Sequence, residues 1–167
     1  NTLWKHGGAV ELYYDNAKKL ETTSTGVTVT GNVNLAADNN SFTVGAGQDL
    51  QIYHDGTNNI LRNVGTRLDV IVNSSETAAS FKPNGAVELY YDNGKRVETT
   101  DKGLLVTGNE GVDGTIALYA DEGDDNADKW KLNSAAAGGF YLENASSGSW
   151  ETNIKAVGEG AVELYYD

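Results

Sequence analysis

Apolar and polar residues alternate with a period of two along much of the chain. In "GAVELYYD" at 8–15, Val10, Leu12 and Tyr14 fall on one face while Glu11, Tyr13 and Asp15 fall on the other, the pattern of a half-buried strand. "GVTVTGNVNL" alternates again, setting Val27, Val29, Val33 and Leu35 against Thr28, Thr30, Asn32 and Asn34, and predicts a second long strand. Between such strands stand the turn residues "DNAK" and, further on, "DNGK". The latter predicts a three-residue loop with Gly94 in the left-handed conformation and Leu89 opposite Val97; Ala17 suits that position less well. "TIALYA", "KWKLN", "GFYLEN" and "SWETNIKA" read as shorter strands separated by glycine, aspartate and serine turns. No stripe of period 3.6 persists for a dozen positions, so no long helix is expected. The single proline, Pro83, lies in a turn-like "KPNG", and "GAGQDL" reads as a glycine-rich turn.

The octapeptide at 8–15 returns unchanged at 85–92 and 160–167. The stretches beginning at Gly8 and Gly85 agree at 17 of 24 positions, which marks an internal duplication. A large apolar residue and a lysine precede each copy (Trp4-Lys5, Phe81-Lys82, Ile154-Lys155), with two extra residues before the third glycine, a change expected in a surface loop. "LQIYHDGTNNILRNVGTRLDVIVN" at 50–73 reads as a degenerate copy, with Ile52-Tyr53-His54-Asp55 where Leu12-Tyr13-Tyr14-Asp15 stand. The predicted organisation is a first module over 1–84 (unit 8–31 plus the copy 50–73), a second unit over 85–108, a divergent short-strand module over 109–159 and the start of a third repeat at 160–167. The chain opens without Met and closes on a repeat, so it is expected to be a segment of a longer polypeptide.

Composition changes this picture in one respect. Leu, Ile, Val and Phe make up about 22% of the chain, just above the level at which a charged chain stays disordered. A core made by one such chain is thin, which favours neighbouring modules or neighbouring copies as the source of the missing contacts. The formal charge of −12 sets aside nucleic acid and anionic membrane surfaces as partners. There is no cysteine, hence no disulfide or thiolate metal site. No run approaches the 18 apolar residues of a membrane span, so no membrane insertion is expected.

Candidate chemistry is sparse. His6 and His54 stand apart from any second His at ligand spacing, and His54, in a slot held elsewhere by Tyr14 and Tyr91, is expected to pack or turn the chain. No nucleophile elbow or phosphate loop is present. "DEGDDNAD" gathers Asp121, Glu122, Asp124, Asp125, Asn126 and Asp128; hard oxygen ligands on a loop suit calcium, but the spacing misses the known calcium-loop pattern, so solvated acid is the simpler expectation. Six of the nine tyrosines belong to the repeated "YYD". Exposed rings beside Asp and Asn grip sugars, yet identical repetition points to scaffold geometry: one Tyr of each pair packed inward, with Tyr13, Tyr90 and Tyr165 covering the outer surface or a neighbouring chain. Trp4, Trp130 and Trp150 flank strands in the other segments. No catalytic, cofactor-binding or metal-binding residue is assigned, and no enzymatic role is expected.

"GAVELYYDNAKKLETTSTGVTVTG", "DLQIYHDGTNN" and "DEGDDNADKW…GGFYLEN…SGSWETNIKA" resemble repeat modules in tail-fibre and other structural proteins of marine bacteriophages, especially cyanophages. The resemblance covers nearly the whole chain. It implies a virion appendage, a homotrimeric β-rich fibre projecting toward a bacterial surface, with other tail proteins and bacterial surface glycans as further partners. It carries over no catalytic residue. The expected architecture is therefore all-β and elongated, an intertwined homotrimer of the triple β-helix or β-prism kind, with a single-chain β-solenoid as the alternative; both close strand edges that would otherwise recruit other strands. The corresponding function is a rigid spacer of a phage fibre with a part in host attachment. A surface-polysaccharide depolymerase and an acidic bacterial adhesin are the competing expectations.

Overall fold

The computed structural model describes residues 2–4 and 7–166, the first three by backbone alone. His6 and Lys5 lie outside the described residues. The described chain is all-β, with four antiparallel sheets and none closed on itself. It divides into two units, Asn1–Val64 and Gly65–Asp167.

The first unit holds two sheets. One runs in the order β1 (Thr2–Trp4), β2 (Val10–Tyr14), β3 (Ala17–Thr23) and β4 (Gly26–Val29). The other comprises β5 (Ser41–Val44), β6 (Leu50–His54) and β7 (Asn59–Asn63). The second unit holds β8 (Leu68–Val72), β9 (Glu76–Phe81), β10 (Val87–Tyr91), β11 (Gly94–Thr100) and β12 (Gly103–Val106) in one sheet. Its other sheet comprises β13 (Gly114–Tyr119), β14 (Lys129–Ala135), β15 (Gly139–Asn144), β16 (Glu151–Ala156) and β17 (Val162–Leu164). Every sheet is a meander, each strand pairing with its neighbour in sequence. Each octapeptide forms a strand that pairs backward onto the segment before it, so the repeat at 85–92 stands in the middle of its sheet. The long strand expected over 26–35 stops at Val29: Thr30 N–H makes the last ladder bond, to Lys19 O, and Gly31 (φ 127°) turns the chain away, leaving Val33 and Leu35 outside any strand.

The hairpin turns differ from expectation in an instructive way. Tyr14 pairs with Ala17 and Tyr91 with Gly94, so each loop has two residues, Asp15-Asn16 and Asp92-Asn93, all with φ between 49° and 57°. This is the turn whose twist matches the flanking strands and in which both central residues are left-handed. Gly94 is therefore not left-handed, and Ala17 fits its place equally well. Asn93 also receives the Thr77 N–H on its Oδ1 at 2.8 Å, tying the turn to β9. Asn93→Ala removes that bond and the tolerance of asparagine for this conformation, and is expected to lower stability by about 1–2 kcal/mol in urea unfolding. Asn16→Gly is expected to raise it by about 0.5 kcal/mol.

Leu89 does face Val97, as the sequence predicts. Just beyond, Tyr90 faces Lys95, so Arg96 is an extra, unpaired residue; Lys19 is its counterpart in the first sheet, where Leu12 faces Leu20 and Tyr13 faces Lys18. Such a bulge reverses the alternation. Lys95 and Val97, two residues apart, consequently stand on opposite faces: the lysine with Glu88 and Glu98, the valine with Leu89. The same device at Asn153 leaves Thr152 opposite Glu143 and Ile154 opposite Leu142.

The two extra residues of the third repeat are not in a loop. Lys82-Pro83-Asn84-Gly85-Ala86 and Val157-Gly158-Glu159-Gly160-Ala161 make equal five-residue connections, closed by Lys82 N–H to Ala86 O and Val157 N–H to Ala161 O, with Asn84 and Glu159 left-handed. The added residues instead place the lysine inside the strand: Lys155 lies within β16, whereas Lys82 opens the connection after β9. Two residues is one strand period, so Lys155 keeps its face and stands directly opposite Glu163.

Packing sets this chain apart from a self-sufficient domain. Each sheet is sorted into an apolar and a polar face. Apolar rungs are Leu12–Leu20–Val29, Phe42–Ile52–Leu61, Val70–Ala79–Leu89–Val97–Val106 and Ile116–Leu132–Leu142–Ile154–Leu164. Yet it is these faces that lie bare. Leu89 is 47% exposed, Phe42 59% and Tyr91 73%, while Ala145 alone among described apolar residues is buried. The buried polar residues are Ser80, Glu88, Asn133 and Asn144. The chain exposes 12458 Å², against roughly 9,600 Å² for two separately folded domains of these lengths. The surplus, about 3,000 Å² per chain, is of the order covered in permanent subunit interfaces.

Candidate functional site

The polar faces carry the organised chemistry, and it is the octapeptide that builds it. In the third sheet Asp69, Ser80, Glu88 and Glu98 form one rung. Glu88 and Glu98 are like charges directly opposite, which is unfavourable unless a cation intervenes. Lys95, placed on this face by the bulge, supplies it, lying 2.5 Å from Glu98 and 3.4 Å from Glu88. Lys82 approaches Glu88 at 2.7 Å, and Tyr90 donates its hydroxyl to Glu88 at 2.8 Å. Ser80 donates to Asp69 at 2.7 Å, and Arg67 pairs with Asp69 at 2.6 Å. Glu88 is only 4% exposed. The Lys82 ammonium first, then the Tyr90 hydroxyl, pull its carboxyl down to about 2, and the same carboxylate pushes Tyr90 up.

The motif recurs wherever the octapeptide does. Tyr13 donates to Glu11 at 2.8 Å, and Lys18 bonds both Glu21 and Glu11. Tyr165 donates to Glu163 at 2.6 Å and Lys155 at 3.2 Å, which together hold the Glu163 carboxyl below its usual range. The "E-x-Y" of the repeat is thus an intrastrand bond across the polar face. The second tyrosine of each pair, Tyr14 or Tyr91, points the other way and stands exposed on the apolar face, where Arg96 lies 6.0 Å from the Tyr91 ring. A carboxylate fixed by lysines and a tyrosine, closed off and fully ionised, is a structural clamp rather than an acid–base group poised near neutrality.

Asp38 and His54 meet at 3.0 Å beside an open depression lined by Asn34, Leu35 and Ile52. The same His54 nitrogen, Nδ1, lies 3.1 Å from the Gly56 N–H, at the Asp55–Asn58 turn, in which Asp55 accepts the Asn58 and Thr57 N–H groups; these, Asn58 first, hold its carboxyl below the usual range.

In the fourth sheet the acidic stretch forms two short 3-10 turns, Asp121–Gly123 and Asn126–Asp128. Asp124, Asp125 and Asp128 bring oxygens within 4.8 Å of one another, whereas Asp121 and Glu122 fall outside that group. Asp124 and Asp125 are exposed and Asp128 is half-buried. Beside them, Tyr119 and Trp150 line an open depression of about 420 Å³ with Asn126, Lys129 and Ser149. Lys131 reaches both the Trp150 ring, at 4.5 Å, and Glu143 Oε2, at 3.0 Å. The ammonium meets that oxygen as a charge contact without hydrogen-bond geometry. Asp113 accepts Ala136 N–H and Asn133 Nδ2 at 2.9 Å each and is lowered by them, in that order.

Sequence reasoning missed the Glu-Tyr-Lys clamp, although the spacing of Glu88 and Tyr90, two apart on one strand, announces it; the lysine's place depended on the bulge. It also missed that Tyr119 and Trp150, 31 positions apart in the chain, line one depression. Among the described residues no helix is long and apolar enough to cross a membrane. No family model, no curated protein and no solved structure matches this chain.

Proposed function

We propose that the chain is a structural segment of a phage tail fibre or related virion appendage, a rigid spacer that becomes complete as a homotrimer. One observation carries this reading: each sheet is a single layer whose apolar face is bare, and in the three sheets that hold an octapeptide the polar face is neutralised by its own ion pairs. Apolar surface of this extent is strongly driven out of water, at about 25 cal/mol per Å², and a polar face closed by its own ion pairs gains nothing from being covered. The bare faces turn toward sister chains and the clamped faces toward solvent. Two copies face to face leave the edge strands open, and β4, fully exposed along its length, is such an edge. Three copies about one axis set the edge strands of one copy beside those of the next, which disposes of the edges as well as the faces. A repeated octapeptide suits a spacer because each repeat presents the same face to the axis.

Light scattering on the native protein tests this directly. The expected mass is three times 17.8 kDa; a stable monomer overturns the reading. Detection of the polypeptide in purified phage particles tests its place in a virion.

A further inference from the structure

Tyr119 and Trp150 stand on the polar face of the fourth sheet, outside the tyrosine–glutamate bond that occupies Tyr165 on that face. Ala117, Lys131, Glu143 and Thr152 form a polar rung there. Tyr119 lies two residues beyond Ala117 on the same strand, and Trp150 lies under the Lys131 ammonium. Both rings are open to solvent, 55% and 40%, on the side opposite the rung Ile116–Leu132–Leu142–Ile154–Leu164. Covering the apolar faces with sister chains therefore leaves this aromatic pair unexplained.

The depression they share is pre-formed. Gly123, left-handed at φ 69°, lets the loop backbone lie on the Tyr119 ring; a Cβ there would meet Cδ2 at 2.8 Å. Gly148 (φ 95°) brings the 145–149 turn against Asn126, whose Nδ2 would lie 3.3 Å from an added Cβ. Trp150 is held by Lys131, and Asn126 accepts the Lys129 ammonium at 3.4 Å. Rings fixed in this way lose little freedom when a ligand stacks on them.

We propose that this depression binds neutral sugar rings of an oligo- or polysaccharide. Its walls ask for a ligand apolar on one face and rich in hydroxyls at its edge: the aromatic rings take the C–H face, and Asn126, Ser149 and Lys129 take the hydroxyls. A volume near 420 Å³ admits one or two rings. Lys129 is the one charged side chain among the described residues of its lining, with Asp124, Asp125 and Asp128 outside it, so the repulsion of uronic acids and phosphorylated ligands comes from the −12 carried by the chain as a whole. The proposal rests on the trimer reading in one respect: inward apolar faces leave this face outside.

Saturation-transfer NMR on the native protein tests it, with neutral trisaccharides built on glucose, galactose, mannose and N-acetylglucosamine as probes and trigalacturonate as the charged counterpart. At least one neutral probe is expected to bind, with trigalacturonate at least tenfold weaker. Trp150→Ala and Asn126→Ala, the second at an exposed loop position, are each expected to weaken binding at least tenfold at unchanged light-scattering mass. Absence of transfer to all four neutral probes, or binding that survives both substitutions, overturns the proposal. A sample of monomer mass that still binds sinks the trimer and keeps the groove; a trimer that binds none of the probes does the reverse.

Discussion

Leu89→Asp is expected to break the proposed trimer into subunits of 17.8 kDa. Leu89 sits at the centre of the five-strand rung Val70–Ala79–Leu89–Val97–Val106, with Phe81 and Val87 beside it. In the isolated subunit this side chain is half exposed, and an aspartate there would be an ordinary surface change worth less than about 0.5 kcal/mol. In an assembly that covers the face, each chain instead buries an unpaired carboxylate in apolar surroundings, at a cost of several kcal/mol per site. In the proposed trimer that cost is repeated in every subunit. The two situations differ so widely that one light-scattering measurement separates them. Leu89→Ala, which creates a cavity without charge, is expected to keep the mass and lower stability by about 2–3 kcal/mol. Thr43→Asp, on the polar face of the second sheet beside Gln51, is expected to change neither. If Leu89→Asp leaves mass and unfolding midpoint as they were, the apolar faces are not an interface.

Acid is expected to weaken the protein through its clamps, Glu88 foremost. Its folded carboxyl is lowered from 4.5 to about 2 by Lys82 and then Tyr90. A depressed folded value means that the contribution is fully present above the unfolded value and is lost as pH falls from about 4.5 toward about 2. Glu163, Asp113 and Asp55 are depressed as well and act in the same direction, so the melting temperature is expected to hold between pH 6 and 8 and fall steeply below pH 4.5. Glu88→Gln removes the charge but keeps the shape. At neutral pH it is expected to cost about 2 kcal/mol per chain, since Lys82 and Tyr90 lose a charged partner. It is also expected to flatten the acid limb of the melting curve. Melting by circular dichroism at pH 7 and pH 3, on both proteins, checks this; equal pH dependence in the two would remove Glu88 from the account.

Much of this was legible in the order of residues. Alternation in "AVELYYD" places Leu89 and Tyr91 on one face and Glu88 and Tyr90 on the other, and the sheet keeps that division. The Leu89–Val97 pairing followed from hairpin arithmetic. Gly94 was misassigned because the counting assumed a three-residue loop, whereas a two-residue turn with a bulge at Arg96 satisfies the same pairing. Both give one extra residue on the second strand, and sequence spacing does not distinguish where it sits. The strand predicted through Val33 and Leu35 failed for a related reason. Alternation continues past Gly31, but alternation describes a face, and a face forms only where a neighbouring strand offers its ladder.

The sequence by itself determined the all-β character, the repeat, and the sorting of each strand into an apolar and a polar side, because these depend on side-chain order along a backbone of period two. What only the tertiary structure decided is which side is covered. The pleat assigns residues to faces without regard to what lies above them, and here the carboxylates of Glu88 and Glu98 are closed over by lysines from a bulge and a turn while the leucines and valines are left in the open. That choice depends on distances between residues brought together by strand pairing, Lys95 with Glu88 included, and no local pattern encodes it.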